Sequence, residues 1–99
     1  YLVMVTMETA ADTLPHIEEI EQALSQMEQS IRQTIRRVDV CTRYSAMQYL
    51  IILFEPIETQ IPNIMDRIFI QYYKHSKNHS FQPGYEYLTM TEMKENDDK

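Results

Sequence analysis

Between Arg36 and Leu53 the chain reads R-R-V-D-V-C-T-R-Y-S-A-M-Q-Y-L-I-I-L, and its clearest candidates for chemistry begin there. Arg32, Arg36 and Arg37 form a local basic cluster, and guanidinium groups bind phosphates and carboxylates through planar, paired hydrogen bonds. Asp39 follows Arg36 at the spacing R-x-x-D. Taken alone, that spacing is short and open to a structural reading. Arginines complement the dipole at a helix end, and Arg36 with Asp39 would hold a helix–strand junction. Further along, Arg67 would be a solvated residue paired with Asp66 or Glu58. His75 and His79 stand four apart, a spacing that pairs metal ligands on a helix. They lie beyond the last apolar helical position with no Cys or acidic partner, so a solvated loop is the better reading. His16 falls in a helix first turn, at the surface. Cys41 lies on a strand with no triad partner and reads as a packed thiol. Tyr72, Tyr73, Tyr85 and Tyr87 read as core edges and strand faces rather than a base-stacking platform.

Whole-chain properties narrow the partners. Ninety-nine residues make one domain, with 43% hydrophobic and 24% charged residues. The net charge of −6, from 9 Lys+Arg against 15 Asp+Glu, disfavours nucleic acid. A single cysteine excludes an internal disulfide and suits a reducing compartment. No apolar run approaches the roughly 18 residues needed to cross a bilayer. Leu2–Val5 is short and lacks the basic flank of a signal peptide. The first residue is Tyr1 rather than Met, so the expectation is a cytoplasmic module of a longer protein, with no cofactor and no membrane insertion.

The elements that must position these residues follow from periodicity. Tyr1–Met7 reads as a buried strand. Ile17, Ile20, Leu24, Met27, Ile31 and Ile35 recur at steps of three and four and predict a helix from Pro15, capped by Asp12 or Thr13. Gln26 falls on its outer side. Val38–Tyr44 alternates as a half-exposed strand, 45–48 turns, and Tyr49–Phe54 predicts a strand buried on both faces with Ile52 central. Pro56 closes it. A second helix from about Thr59 puts Ile61, Ile64, Ile68 and Tyr72 inward, with Met65 and Phe69 beside them. A polar loop over His75–Gly84 leads to a last strand over Tyr85–Thr91. The expected fold class is α+β: a ferredoxin-like βαββαβ unit, its antiparallel or mixed sheet carrying two helices on one face. Residues 1–91 form the domain, and 92–99 a charged, disordered tail.

The same stretch resembles the central hairpin of GGDEF domains, the diguanylate cyclase family, where R-x-x-D and R-Y precede five signature residues. Those positions here read Ser45, Ala46, Met47, Gln48 and Tyr49. The resemblance implies a nucleotidyl cyclase-like core and a place in bacterial signal transduction. It also implies what is missing. In the family two glycines admit the nucleotide, and carboxylates on the hairpin and first strand hold metal ions. Ser45 and Ala46 add side chains where close approach was needed, and Met47 and Gln48 carry no charge. The first strand's D-x-D aligns with Thr6, Met7 and Glu8, leaving one acid. The family's guanine-contacting Asn and Asp have no firm counterpart, with Asp12 and Glu21 nearest.

On this resemblance the chain is a degenerate, catalytically inactive domain. A working cyclase would need acids that the hairpin lacks. What the pattern retains is the family's product-binding site, which falls on Arg36, Asp39 and Arg67. They are the expected ligands of cyclic di-GMP, with Asp39 accepting from a guanine amino group. Other domains of a longer signalling protein are the expected partners. The alternatives are a ligand-free dimerisation or docking domain and an unrelated ferredoxin-like regulatory domain.

Overall fold

The computed structural model describes residues 1–9, 15–55, 58–76 and 81–89. Its elements are β1 (Leu2–Thr9), α1 (Ile17–Thr34), β2 (Val40–Ser45), β3 (Gln48–Ile52), a 3-10 turn (Glu58–Gln60), α2 (Ile61–His75) and β4 (Phe81–Leu88). The sheet order is β2-β3-β1-β4, and every neighbouring pair is antiparallel. That is the ferredoxin-like α+β arrangement expected, with the sheet wholly antiparallel rather than mixed.

Strand alternation decides which face meets the helices. Val3 pairs with Ile51 and Tyr87, and Val5 with Tyr49 and Tyr85. Residues directly opposite in such a ladder share a face. Val3, Val5, Met7, Tyr49, Ile51 and Cys41 are buried there. Leu24, Met27 and Ile31 of α1 and Ile61, Met65, Ile68 and Tyr72 of α2 complete the core. A fully buried side chain of this size contributes about 1.5–3 kcal/mol. The Tyr49 hydroxyl donates to the Leu24 carbonyl at 2.9 Å, satisfying its polar end inside the core and pinning the hairpin to α1.

Several local expectations change. Helix α1 starts at Ile17 with His16 as an extended cap residue, so Pro15 precedes the helix, and Ile17 is 70% exposed. The caps named from sequence, Asp12 and Thr13, lie outside the described residues, as do Pro56, His79 and 92–99. Strand β3 alternates instead of burying both faces: Tyr49 and Ile51 are buried, whereas Leu50 and Ile52 are half-buried on the side without helices. Strand β2 is inverted relative to its apolar pattern, with Cys41 inward and Val40 and Tyr44 exposed. Strand β4 begins at Phe81, inside the expected loop, because an edge strand tolerates Pro83. Gln26 is half-buried rather than exposed.

Candidate functional site

Helix α1 ends at Thr34, and the chain reaches β2 through Ile35–Asp39. Asp39 organises that crossing. Its Oδ2 accepts from the Arg36 amide at 2.9 Å and from Arg36 Nε at 3.2 Å. Its Oδ1 accepts from Arg36 Nη2 at 3.2 Å and from the Phe54 amide at 3.0 Å. Arg36 Nη2 also donates to the Phe54 carbonyl. R-x-x-D therefore ties the end of α1 to the end of β3, as the structural reading of the motif requires. The Asp39 side chain is only 3% exposed. Burial alone would push its carboxyl up. The hydrogen bonds from Arg36 and from the Phe54 and Arg36 amides outweigh burial and hold it below its ordinary value. Hydrogen bonding to Asp39, and then its charge, hold the Arg36 guanidinium more firmly protonated.

Beside this lock opens a cleft of about 290 Å³. Arg36, Asp39 and Leu53 form one wall, while Gln60, Asn63 and Arg67 reach it from the 3-10 turn and the first two turns of α2. The structure thus brings together all three residues that the sequence nominated for ligand binding. Among the described residues Arg67 makes no hydrogen bond or ion pair, and the pairing with Asp66 or Glu58 is not formed. Asp39 is already engaged by protein donors. A carboxylate offers about four lone-pair sites, and four protein donors already use them. A guanine amino group would have to displace one. The sequence reading missed Glu55, Gln60 and Asn63. Asn63 stands one helical turn before Arg67, a spacing that could have flagged it.

The opposite end of the hairpin holds the five signature positions. Ser45 ends β2, Ala46 and Met47 turn, and Gln48 opens β3. The ladder slips between Arg43 and Ser45, and Tyr44 is thrown outward. No residue of this turn has positive φ, so it does not require glycine. Arg43 clamps it, donating from Nε to the Ser45 carbonyl at 2.9 Å and from Nη2 to the Ala46 carbonyl at 2.8 Å. The same guanidinium lies 5.8 Å from the Tyr49 ring centroid. The Ser45 hydroxyl donates to Gln48 Oε1 at 2.8 Å, and Gln48 Nε2 donates to Thr6 Oγ1 at 3.1 Å. Gln48 and Thr6, two positions where the resemblance implied metal-holding carboxylates, here bond each other.

Carboxylates near this end are spread out. Glu8 and Glu86 line a shallow hollow with Thr6, Gln48 and Gly84. Met4 pairs with Glu86 and Glu8 with Gln82, so the two acids are four register positions apart, about 13 Å along the strands. Among the described residues no three potential metal ligands cluster. Glu21 is exposed on α1. Burial pushes the Cys41 thiol up, away from the reactive thiolate. His75 closes α2. Among the described residues no helix is long and apolar enough to cross a membrane.

No family model matches the chain, and no curated protein matches it. Among solved structures, the crystal structure of a DGC protein from Thermotoga maritima is similar, with a TM-score of 0.65 and 19% sequence identity. The alignment covers 86% of this chain and 60% of that one, so this chain spans about three fifths of its length. The two share a fold.

Proposed function

We propose that the chain is a catalytically inactive GGDEF-like regulatory module of bacterial signal transduction, sensing cyclic di-GMP through Arg36, Asp39 and Arg67. One observation carries this reading: the R-x-x-D of the α1–β2 junction and an arginine from α2, remote in sequence, line one cleft. The fold shared with a DGC protein, an abbreviation we read as diguanylate cyclase, supports the family assignment. In this reading Arg67, which makes no ion pair among the described residues, meets a phosphate, Asn63 adds an amide, and Arg36 presents its outer edge to the base. Asp39 positions Arg36. Inactivity is supported by the hairpin end, where Met47 and Gln48 offer a hard divalent cation no carboxylate.

Titration calorimetry with cyclic di-GMP tests the binding half. Binding that weakens with added salt is expected, because the ligand carries two negative charges. Incubation with GTP and magnesium or manganese tests the other half: product above a no-protein blank would overturn inactivity.

A second reading, a docking or dimerisation surface, has its own support. Val40, Ile52, Leu2 and Leu88 form an apolar row across all four strands on the face without helices, with Val40 43% and Leu88 48% exposed. A contiguous apolar patch on an uncovered face favours a protein partner. Sedimentation over a range of concentrations separates self-association from the monomeric sensor.

A further inference from the structure

Glu55 differs from every other residue of the cleft. It follows Phe54, whose amide donates to Asp39 and whose carbonyl accepts from Arg36, so the peptide groups flanking Phe54 are both held by the junction. Glu55 then turns through φ 56°, and among the described residues it is the one non-glycine with positive φ. An L side chain is disfavoured there and persists only where its surroundings impose it. The strained turn leaves a carboxylate lining the cleft that also holds Arg36 and Arg67. Among the described residues that carboxylate makes no ion pair. Its field still reaches the site, adding to the dominant effect of Asp39 in keeping Arg36 protonated.

We infer that Glu55 is an internal competitor at the anion site: a carboxylate with no ion pair among the described residues, set on a strained turn in the lining that also holds both guanidiniums, whose charge opposes an incoming phosphate. The inference rests on the reading that this cleft takes a phosphate-bearing ligand. Charge counting gives its sense. Arg36 is neutralised by Asp39, and Arg67 and Glu55 bring one charge of each sign to the same lining, so the cleft is close to neutral as it stands. Without the Glu55 charge it carries a net positive charge. The Glu55 charge therefore raises the ligand concentration needed to fill the cleft, by a penalty that grows with the negative charge of the ligand.

The test is titration calorimetry with inorganic pyrophosphate at low ionic strength, on the parent chain, Glu55→Gln, Glu55→Gly and the control Glu58→Gln. Glu58 is exposed in the 3-10 turn and outside the cleft lining. Glu55→Gln is expected to bind about three- to tenfold tighter than the parent, with the gain shrinking as salt screens the site. Glu55→Gly should gain similarly, since glycine suits the backbone there. Glu58→Gln should not. Equal gains in Glu55→Gln and Glu58→Gln would reduce the effect to overall charge and overturn the inference. So would pyrophosphate affinity equal in parent and Glu55→Gln, or absent from both. Cyclic di-GMP titrated alongside reports separately on the functional reading. A pyrophosphate gain with no cyclic di-GMP binding keeps the competitor and removes that reading, whereas cyclic di-GMP binding without a pyrophosphate gain does the reverse.

Discussion

The two ends of the central hairpin treat their polar side chains in opposite ways. At the turn, Arg43 is taken up by two carbonyls and an aromatic face, and Ser45, Gln48 and Thr6 bond one another. At the other end Arg36 and Asp39 neutralise each other, but Arg67 and Glu55 line the same cleft with no ion pair among the described residues. A region whose donors and acceptors all find internal partners is stabilised and has little left with which to bind. One that keeps unmatched charges at a concave surface can exchange them for a ligand's. The hairpin turn spends its polar groups on the fold, whereas the cleft keeps charged groups at a concave surface.

Both ends hang on one core, so the largest effects come from there. Leu24→Ala and Ile51→Ala should each cost about 2–5 kcal/mol by urea unfolding, the usual cost of a core cavity. Ile52→Ala, on the uncovered face, should cost distinctly less, and Gln22→Ala on the exposed side of α1 almost nothing. Matching losses at Ile51 and Ile52 would mean that both faces of β3 are covered.

Asp39 comes next. Removing it orphans the Arg36 and Phe54 donors, and Asp39→Ala should lose about 1–3 kcal/mol. Its acid dependence has a definite sign. A carboxyl held below its ordinary value contributes stability that is present above its unfolded pKa and fades as pH falls through the folded one. Stability should therefore drop below about pH 4, and that limb should shrink in Asp39→Asn. An unchanged acid limb would detach Asp39 from the junction.

The hairpin turn should respond more weakly. Arg43→Ala loses two exposed hydrogen bonds and should cost about 1 kcal/mol, and Ser45→Ala about half that or less. Neither should alter anion affinity. A change in pyrophosphate binding on either substitution would erase the distinction between the two ends.

Much of this architecture was legible in the sequence, for a physical reason. Helix stripes such as Leu24, Met27 and Ile31 repeat over several turns, and Arg43–Tyr49 marks a hairpin by alternation broken at a short polar turn. The faces of β3 were not legible, because an unbroken apolar run is compatible with one covered side or two. In β4, Pro83 and Gly84 carry the signature of a loop, and only its edge position permits them there. Among site residues, Arg36 and Asp39 are three positions apart in sequence and suggest each other. Arg67 was reached through the family pattern, since nothing local ties it to them. Glu55 gave no signal, because its significance lies in a backbone angle and a neighbourhood that only the folded chain reveals.

In the proposed reading Arg67, which has no ion pair among the described residues, makes the cleft a cyclic di-GMP site. The most direct test of this reading compares cyclic di-GMP affinity in the parent, Arg67→Ala and Arg32→Ala by calorimetry at one ionic strength. Arg32 carries the same charge on α1 but is engaged with Glu28 at 3.4 Å and with the Cys41 carbonyl at 3.2 Å. Because Arg67 holds no bond among the described residues, its removal should leave the urea midpoint unchanged while weakening binding about tenfold or more, the loss of one charged hydrogen bond to phosphate. Arg32→Ala should weaken it only slightly. Equal losses at the two positions, or no binding by the parent, would contradict the account.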